Sequence, residues 1–134
     1  MTAWTWLYWP TLLAVTIGFA WIAGTGAIGR WRGLALIAAA AAVLGYTRYR
    51  FECAQPLTCD VGGSEAAWYY FSHLFPQRAA LHAAALVLAA VMTRYHRRSH
   101  PGRRRAVAIA SAFGTLLLSW VIVVFVASLY VEFR

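Results

Sequence analysis

Two apolar runs separated by a cluster of arginines constrain this 134-residue chain more than any other feature. The runs are Ala79–Thr93 and Ala106–Val131, and neither contains aspartate, glutamate, lysine or arginine. A helix needs about 20 mostly apolar residues to cross the core of a bilayer, so the second run is long enough to span it. Arginine-rich short loops beside such helices stay in the cytoplasm. The pattern therefore predicts an integral membrane protein and its orientation.

Composition agrees with a membrane location. The chain is 62% hydrophobic and only 12% charged, whereas soluble domains are about a quarter charged. A net charge of +8 would suggest nucleic-acid binding in a soluble protein. Here the arginines lie at the ends of apolar segments, where membrane orientation and lipid headgroups explain them better. We expect residues 1–134 to form one domain. Its expected partner is the lipid bilayer, and we do not expect it to bind nucleic acid.

The apolar runs predict an all-α integral membrane fold with four transmembrane helices, at about residues 9–27, 32–48, 77–94 and 105–130. The first is expected to begin near Pro10, since proline fits the first turn of a helix. The second run is short, so its full span relies on arginine stems lying along the apolar region, and a re-entrant segment is the alternative.

The polar loop 48–78 is expected to contain a short helix of its own. Ser64 and Glu65 are residues typical of a helix start, and apolar residues follow at helical spacing as far as Phe75. That pattern predicts a helix lying in the membrane interface rather than crossing it. Pro76 would separate this interfacial helix from the third span.

Charge counts set the expected topology. The loops at 29–33 and 94–105 carry two and six arginines without any acid, whereas the 48–78 loop balances three arginines with three acids. The two basic loops are therefore expected in the cytoplasm, with both termini and the 48–78 loop outside the plasma (inner) membrane. Cys53 and Cys59 lie in that loop, where an oxidising compartment favours a disulfide over free thiols.

Few residues carry chemistry. No acid lies within a predicted span, which argues against a proton- or cation-coupled antiporter. His82 is the ionisable residue placed inside a span, near Arg78 on one helix face. It could bind haem or quinone, but an interfacial histidine bonded to a carbonyl or a headgroup is the favoured reading. The other histidines, at positions 73, 96 and 100, do not lie at a matching depth. No metal site, bound cofactor or catalytic residue is predicted.

Two arginine clusters could contact anions. Arg48 and Arg50 lie among aromatic residues and could hold an anionic headgroup, although pairing with Glu52, Asp60 or Glu65 is favoured. A second cluster could bind anionic lipid or an acidic partner, although topology alone also explains it. Its members are Arg97, Arg98, Arg103, Arg104 and Arg105.

Stripes of small residues predict helix–helix contact faces. They comprise Ala106, Ala110 and Gly114 in the fourth helix, Ala35, Ala39 and Ala42 in the second, and Ala80, Ala84, Ala85 and Ala89 in the third. Such faces do not say whether the partner helix belongs to this chain. The favoured function is a non-enzymatic accessory or structural subunit that packs against other membrane subunits or copies of itself.

Two other functions remain open at this point. One is an oligomeric channel or small-solute transporter lined by hydroxyl side chains, namely Thr11, Thr16, Ser111, Thr115 and Ser119. The other is a haem- or quinone-associated membrane subunit that uses His82.

Overall fold

The computed structural model describes residues 3–26, 29–53, 64–99 and 105–132. These residues form four helices: α1 (Ala3–Thr25), α2 (Arg30–Cys53), α3 (Ser64–Ser99) and α4 (Arg105–Glu132). No strand occurs in these four ranges. The all-helical fold is therefore as predicted for the described part of the chain.

Three of the four helices contain a stretch long and apolar enough to cross a membrane. The stretches are Trp6–Thr25 in α1, Phe71–Arg98 in α3 and Ala106–Val126 in α4. They coincide with three of the four predicted spans, which is consistent with a membrane protein. α2 is not among them, because arginines near both of its ends lower its mean hydropathy.

The four helices run alternately up and down. Trp4 at the start of α1 contacts Tyr46 near the end of α2, with 6.0 Å between ring centroids. Gly24 near the end of α1 lies against Ile109 near the start of α4. Contacts join α1 to α2, α2 to α3, α3 to α4 and α4 to α1, whereas α2 and α4 do not touch within the described residues. The arrangement is a four-helix bundle with α2 and α4 at opposite corners.

Each helix contributes to one apolar core. Its buried members are Phe19 from α1, Ile37 and Ala40 from α2, Leu86 and Ala89 from α3, and Leu116 from α4. α2 and α3 each contribute one alanine to this core, Ala40 and Ala89. Because these side chains are small, the axes of the two helices can approach closely. The core therefore depends on pairing small residues with a few large ones.

The structure corrects the boundary predicted at Pro76. The stretch 65–75 is helical, but it continues into the third span as one 36-residue helix with Pro76 inside it. Phe71 and Phe75 stack at 5.2 Å and pack with Leu74 against Tyr49 of α2. Membrane helices tolerate an internal proline where neighbouring helices hold them. Packing against α2 on both sides of the proline therefore keeps α3 continuous.

The start of α1 also differs from the prediction. The helix begins at Ala3 rather than near Pro10, which lies within it. Tyr8 stacks on Phe51 of α2 with 5.6 Å between ring centroids, and Trp4 packs on Tyr46. These aromatic contacts hold the first turns in a helix, so the Trp- and Tyr-rich segment is part of α1.

Candidate functional site

His82 is buried between three helices. It lies on α3 with 3% of its surface exposed, and its Nδ1 is 2.6 Å from the carbonyl oxygen of Arg78. A carbonyl oxygen only accepts hydrogen bonds, so Nδ1 carries the proton and donates. Its Nε2 then accepts a hydrogen bond from the hydroxyl of Tyr8 on α1, at 3.4 Å. The ring of Trp120 on α4 lies 4.5 Å away, edge to face.

The structure brings together candidate residues that the sequence left apart. The Arg48 guanidinium lies over the Tyr8 ring at 5.3 Å and over the Phe51 ring at 5.1 Å, distances at which cation–π attraction operates. Tyr8 therefore contacts both His82 and Arg48. Arg78 joins the same group through its backbone carbonyl. We call Tyr8, Arg48, His82 and Trp120 the histidine cluster.

Arg50 lies beside this cluster. Its guanidinium carbon is 4.8 Å from the Trp4 ring centroid, and its buried Nε has no hydrogen-bond partner among the described residues. Glu65, one of the acids proposed to pair with the outer arginines, is exposed. The side chains of Glu52 and Cys53, and all of Cys59 and Asp60, lie outside the described residues. The predicted disulfide therefore stays a prediction.

The geometry favours packing over cofactor binding for His82. Iron ligation through Nε2 would require the Tyr8 hydroxyl to move away, since Nδ1 is already bonded to a carbonyl. His73 is exposed and stacks on Tyr69 at 4.3 Å, so it does not share a site with His82. Within the described ranges, no group of three histidine, cysteine, aspartate or glutamate side chains could hold a metal. His96 packs on Tyr95, and His100 is outside the described residues.

Two of the five hydroxyl side chains proposed to line a channel donate hydrogen bonds to their own helix. Thr115 donates to the carbonyl oxygen of Ser111 at 2.8 Å, and Ser119 donates to that of Thr115 at 2.7 Å. Thr16 on α1 is buried, with 3% exposed. These bonds satisfy the α4 hydroxyls locally, as is usual for serine and threonine in membrane helices.

Glycines divide into those that allow close packing inside the chain and those that face outward. A Cβ on Gly24 would lie 2.7 Å from Ile109 Cα, and one on Gly45 would lie 2.7 Å from Ala79 Cα. A Cβ on Gly18 or Gly114 would meet nothing within 4 Å. Gly24 and Gly45 therefore let helices of this bundle approach, whereas Gly18 and Gly114 do not.

The predicted small-residue stripes divide in the same way. On α3, Ala85 and Ala89 are buried in the bundle, while Ala80 and Ala84 are exposed. The two remaining stripes are exposed along their whole length: Ala106, Ala110 and Gly114 on α4, and Ala35, Ala39 and Ala42 on α2. We call these the α4 stripe and the α2 stripe. Neither is used to pack the described helices against each other.

At the basic end of the bundle, an arginine of α3 packs against a glycine that follows α1. Arg97 and Arg98, two of the proposed lipid-contacting arginines, are exposed at the end of α3. Gly26 follows α1 with a positive φ of 67°, and the Arg97 guanidinium occupies the place where a Cβ on Gly26 would be. A cation at the C-terminus of α1 is favoured by the helix dipole. The side chains of Arg103, Arg104 and Arg105 are outside the described set.

Gly26→Ala is expected to lower the free energy of unfolding by about 1–2 kcal/mol, because the new Cβ is strained at positive φ and displaces Arg97. Thermal unfolding in mild detergent would measure this. Adding Arg97→Ala should recover only the part of the lost stability that comes from the collision between the new Cβ and the Arg97 guanidinium. Gly29→Ala is the control, because its Cβ meets nothing within 4 Å. Equal effects of Gly26→Ala and Gly29→Ala would contradict the interpretation.

The described helices thus present a buried histidine cluster, two outward small-residue stripes and a basic end. The histidine cluster is bonded within the chain, whereas the stripes and the basic end face outward. No protein-family model, curated protein or solved structure matches the chain.

Proposed function

We propose that this chain is an accessory or structural subunit of a multi-subunit membrane complex, in which its α4 and α2 stripes pack against neighbouring helices. The observation that carries the proposal is the outward position of the α4 stripe. Three small residues at four-residue spacing are exposed on one helix, while the close approaches within the chain use other residues.

The physical argument concerns what a small residue does at a lipid-facing position. Lipid tails are as apolar as leucine, so helices in a bilayer associate by close van der Waals contact rather than by the hydrophobic effect. Small residues create the shallow groove that permits such contact. The positions beyond the stripe on α4, Leu118 and Val121, are large and exposed at 60% and 65%. The helix therefore changes from a large-residue surface to a small-residue groove along its length.

The α2 stripe gives the chain a second contact face. Because α2 and α4 occupy opposite corners of the bundle, the two stripes point in different directions. A chain with two such faces can sit between two neighbours, which are either different subunits or further copies of itself. Its buried histidine contacts side chains of α1 and α4 from α3, which supports a role in assembly rather than chemistry.

The proposal includes four membrane spans. Ala40, close to the centre of α2, packs in the same core cluster as Leu86 and Leu116, which lie near the centres of the candidate spans in α3 and α4. α2 has 24 residues, about 36 Å at 1.5 Å per residue. A helix of that length, centred at the same depth as its spanning neighbours, crosses with them.

The proposed orientation follows from the basic ends. Arg97 at the end of α3 lies against Gly26 at the end of α1, so with four spans both basic loops lie on one side of the membrane. That side is the cytoplasm by the distribution of arginine. The inner membrane of a cell would then place Cys53 and Cys59 on the oxidising side, where they are proposed to form a disulfide.

The test compares which chains co-purify from native membranes with the wild-type protein and with a double variant that carries both Ala110→Leu and Gly114→Leu. The wild-type chain is expected to carry partner subunits or copies of itself in mild detergent, and native mass spectrometry would give their masses. The double variant should lose the neighbour that packs on α4, because two leucines fill that groove. Its thermal stability as an isolated chain should be unchanged, since a Cβ at Gly114 meets nothing in the bundle.

Ala84→Leu is the matched control, since Ala84 is also exposed but belongs to α3. It should keep every associated chain. The proposal would be wrong if the wild-type protein ran as a lone monomer with nothing bound. It would also be wrong if the double variant retained the same partners.

A further inference from the structure

A cavity of about 310 Å³ opens at the basic end of the bundle. Its inner wall is apolar and is built from three helices, with Phe19 of α1, Ile37 of α2 and Val87 of α3 among its residues. Its outer wall contains three arginines, Arg30, Arg94 and Arg97. The cavity is therefore apolar along its length and positively charged where it meets the basic end.

The charge at this mouth is not balanced within the cavity. No aspartate or glutamate is among its lining residues, and all three arginines come from helix ends. Guanidinium groups bind phosphate oxygens through paired N–H donors, which makes several arginines around one opening a typical phosphate-binding arrangement. An anion at the mouth would relieve the repulsion between three like charges.

The backbone of α2 adds donors at the same place. Gly29, which precedes α2, and Arg30, its first residue, line the cavity. The N–H of Gly33 is not available to a ligand, because it donates to the carbonyl oxygen of Gly29 at 2.8 Å. The first N–H groups of a helix have no carbonyl partner within the helix, and the helix dipole favours negative charge there. Gly29 has open space on its Cβ side, so a ligand can reach this backbone closely.

Arg97 is positioned for this role by the end of α1. The absence of a side chain at Gly26 lets the guanidinium sit against the backbone at that point. The arginine is therefore held beside the mouth by α1 while being carried by α3. α2 and α3 thus supply the charged part of the cavity, whereas α1, α2 and α3 together supply its apolar part.

We propose that this cavity binds one anionic phospholipid, with its phosphate at Arg30, Arg94 and Arg97 and one acyl chain in the apolar part. The arrangement fits an amphiphile better than a soluble anion, because a free phosphate would leave the apolar wall unfilled. It fits an anionic lipid better than a zwitterionic one, because a choline or an ammonium group would be repelled by the same arginines. The proposal does not depend on the partner subunits described above.

The experiment measures lipid retention by native mass spectrometry of the full chain in detergent, titrated with phosphatidylglycerol or with phosphatidylcholine of the same acyl chains. The wild-type protein should retain one phosphatidylglycerol in preference to phosphatidylcholine. Arg94→Gln with Arg97→Gln should weaken phosphatidylglycerol binding at least about thirtyfold, from two lost charge-assisted contacts. Added inorganic phosphate should not displace the lipid.

The matched control is Arg32→Gln with Arg98→Gln. These two arginines are exposed at the same end of the bundle. Neither lines the cavity, although Arg98 belongs to the arginine cluster predicted from the sequence to contact lipid. The variant therefore removes equal charge and should retain the lipid in the cavity nearly as the wild type does. Ala90→Phe tests the apolar part independently, because Ala90 lines the cavity and a phenyl ring would occupy it. It should abolish retention with all arginines present.

Three results would overturn the proposal. The first is equal loss of binding in the two arginine pairs, which would indicate a diffuse effect of charge. The second is equal retention of phosphatidylcholine and phosphatidylglycerol by the wild-type chain. The third is competition by inorganic phosphate together with normal lipid retention in Ala90→Phe, which would indicate an anion site without an acyl chain. If Ala90→Phe does not fold, the arginine pairs alone decide the outcome.

Discussion

Gly45→Ala is expected to lower the free energy of unfolding by about 2 kcal/mol, although alanine is the better helix former. The new Cβ would lie 2.7 Å from both the Cα and the backbone nitrogen of Ala79, and 2.9 Å from its Cβ. Backbone atoms cannot rotate out of the way as a long side chain can. α2 and α3 would therefore have to separate along a contact that includes Tyr49 and Phe75.

The matched control is Gly18→Ala on α1. A Cβ there meets nothing within 4 Å, so the substitution should stabilise the protein by roughly 0.5–1 kcal/mol through helix propensity alone. Unfolding followed by circular dichroism in mild detergent would measure both variants. The same sign and size of change in Gly45→Ala and Gly18→Ala would show that the close approach of α2 and α3 is not present in solution.

His82→Ala is expected to destabilise the protein by about 3 kcal/mol, from the lost ring packing and the cavity that remains. Only 3% of the surface of His82 is exposed. Its ring joins three helices through contacts with Tyr8, Trp120 and the Arg78 carbonyl. Removing the ring leaves a cavity between α1, α3 and α4 and takes away the hydrogen bond from Tyr8 to Nε2. The same unfolding measurement would detect the loss.

A double-mutant cycle separates the hydrogen bond from the packing. Tyr8→Phe keeps the ring stack on Phe51 and removes only the hydroxyl, so a coupling of about 1 kcal/mol with His82→Ala is expected. His73→Ala serves as control, because that histidine is exposed and, among the described residues, contacts its own helix neighbours. A coupling near zero between Tyr8 and His82 would contradict the hydrogen bond, and a large effect of His73→Ala would contradict the role of burial.

Much of the local structure follows from sequence patterns alone. Helices of this kind satisfy all their backbone hydrogen bonds internally, so long apolar runs predict helices and their approximate positions. The start of α4 at Arg105 was predicted in this way. The start of α1 and the continuity of α3 through Pro76 were not, because both depend on aromatic contacts with α2. A local rule about proline cannot account for packing between helices distant in the sequence.

The candidate site shows the same division. His82 stood out because an ionisable residue in an apolar run is unusual, but its partners Tyr8 and Trp120 did not. Tyr8 is 74 residues away, and a tyrosine near the end of an apolar run is typical of a membrane boundary, so the sequence does not indicate that it contacts His82. The small residues likewise predicted contact faces without indicating which faces the chain uses itself.

The sequence by itself determined the helical membrane character of this protein and the end of the bundle that carries its positive charge. Both follow from the transfer energy of runs of residues, which is a sum over local composition. Only the tertiary structure decided that Ala79 packs against Gly45 while Gly114 faces outward. It also decided that Arg30, Arg94 and Arg97 surround one cavity. Those outcomes depend on which helix faces meet, and similar small-residue stripes occur on several helices, so composition cannot distinguish them.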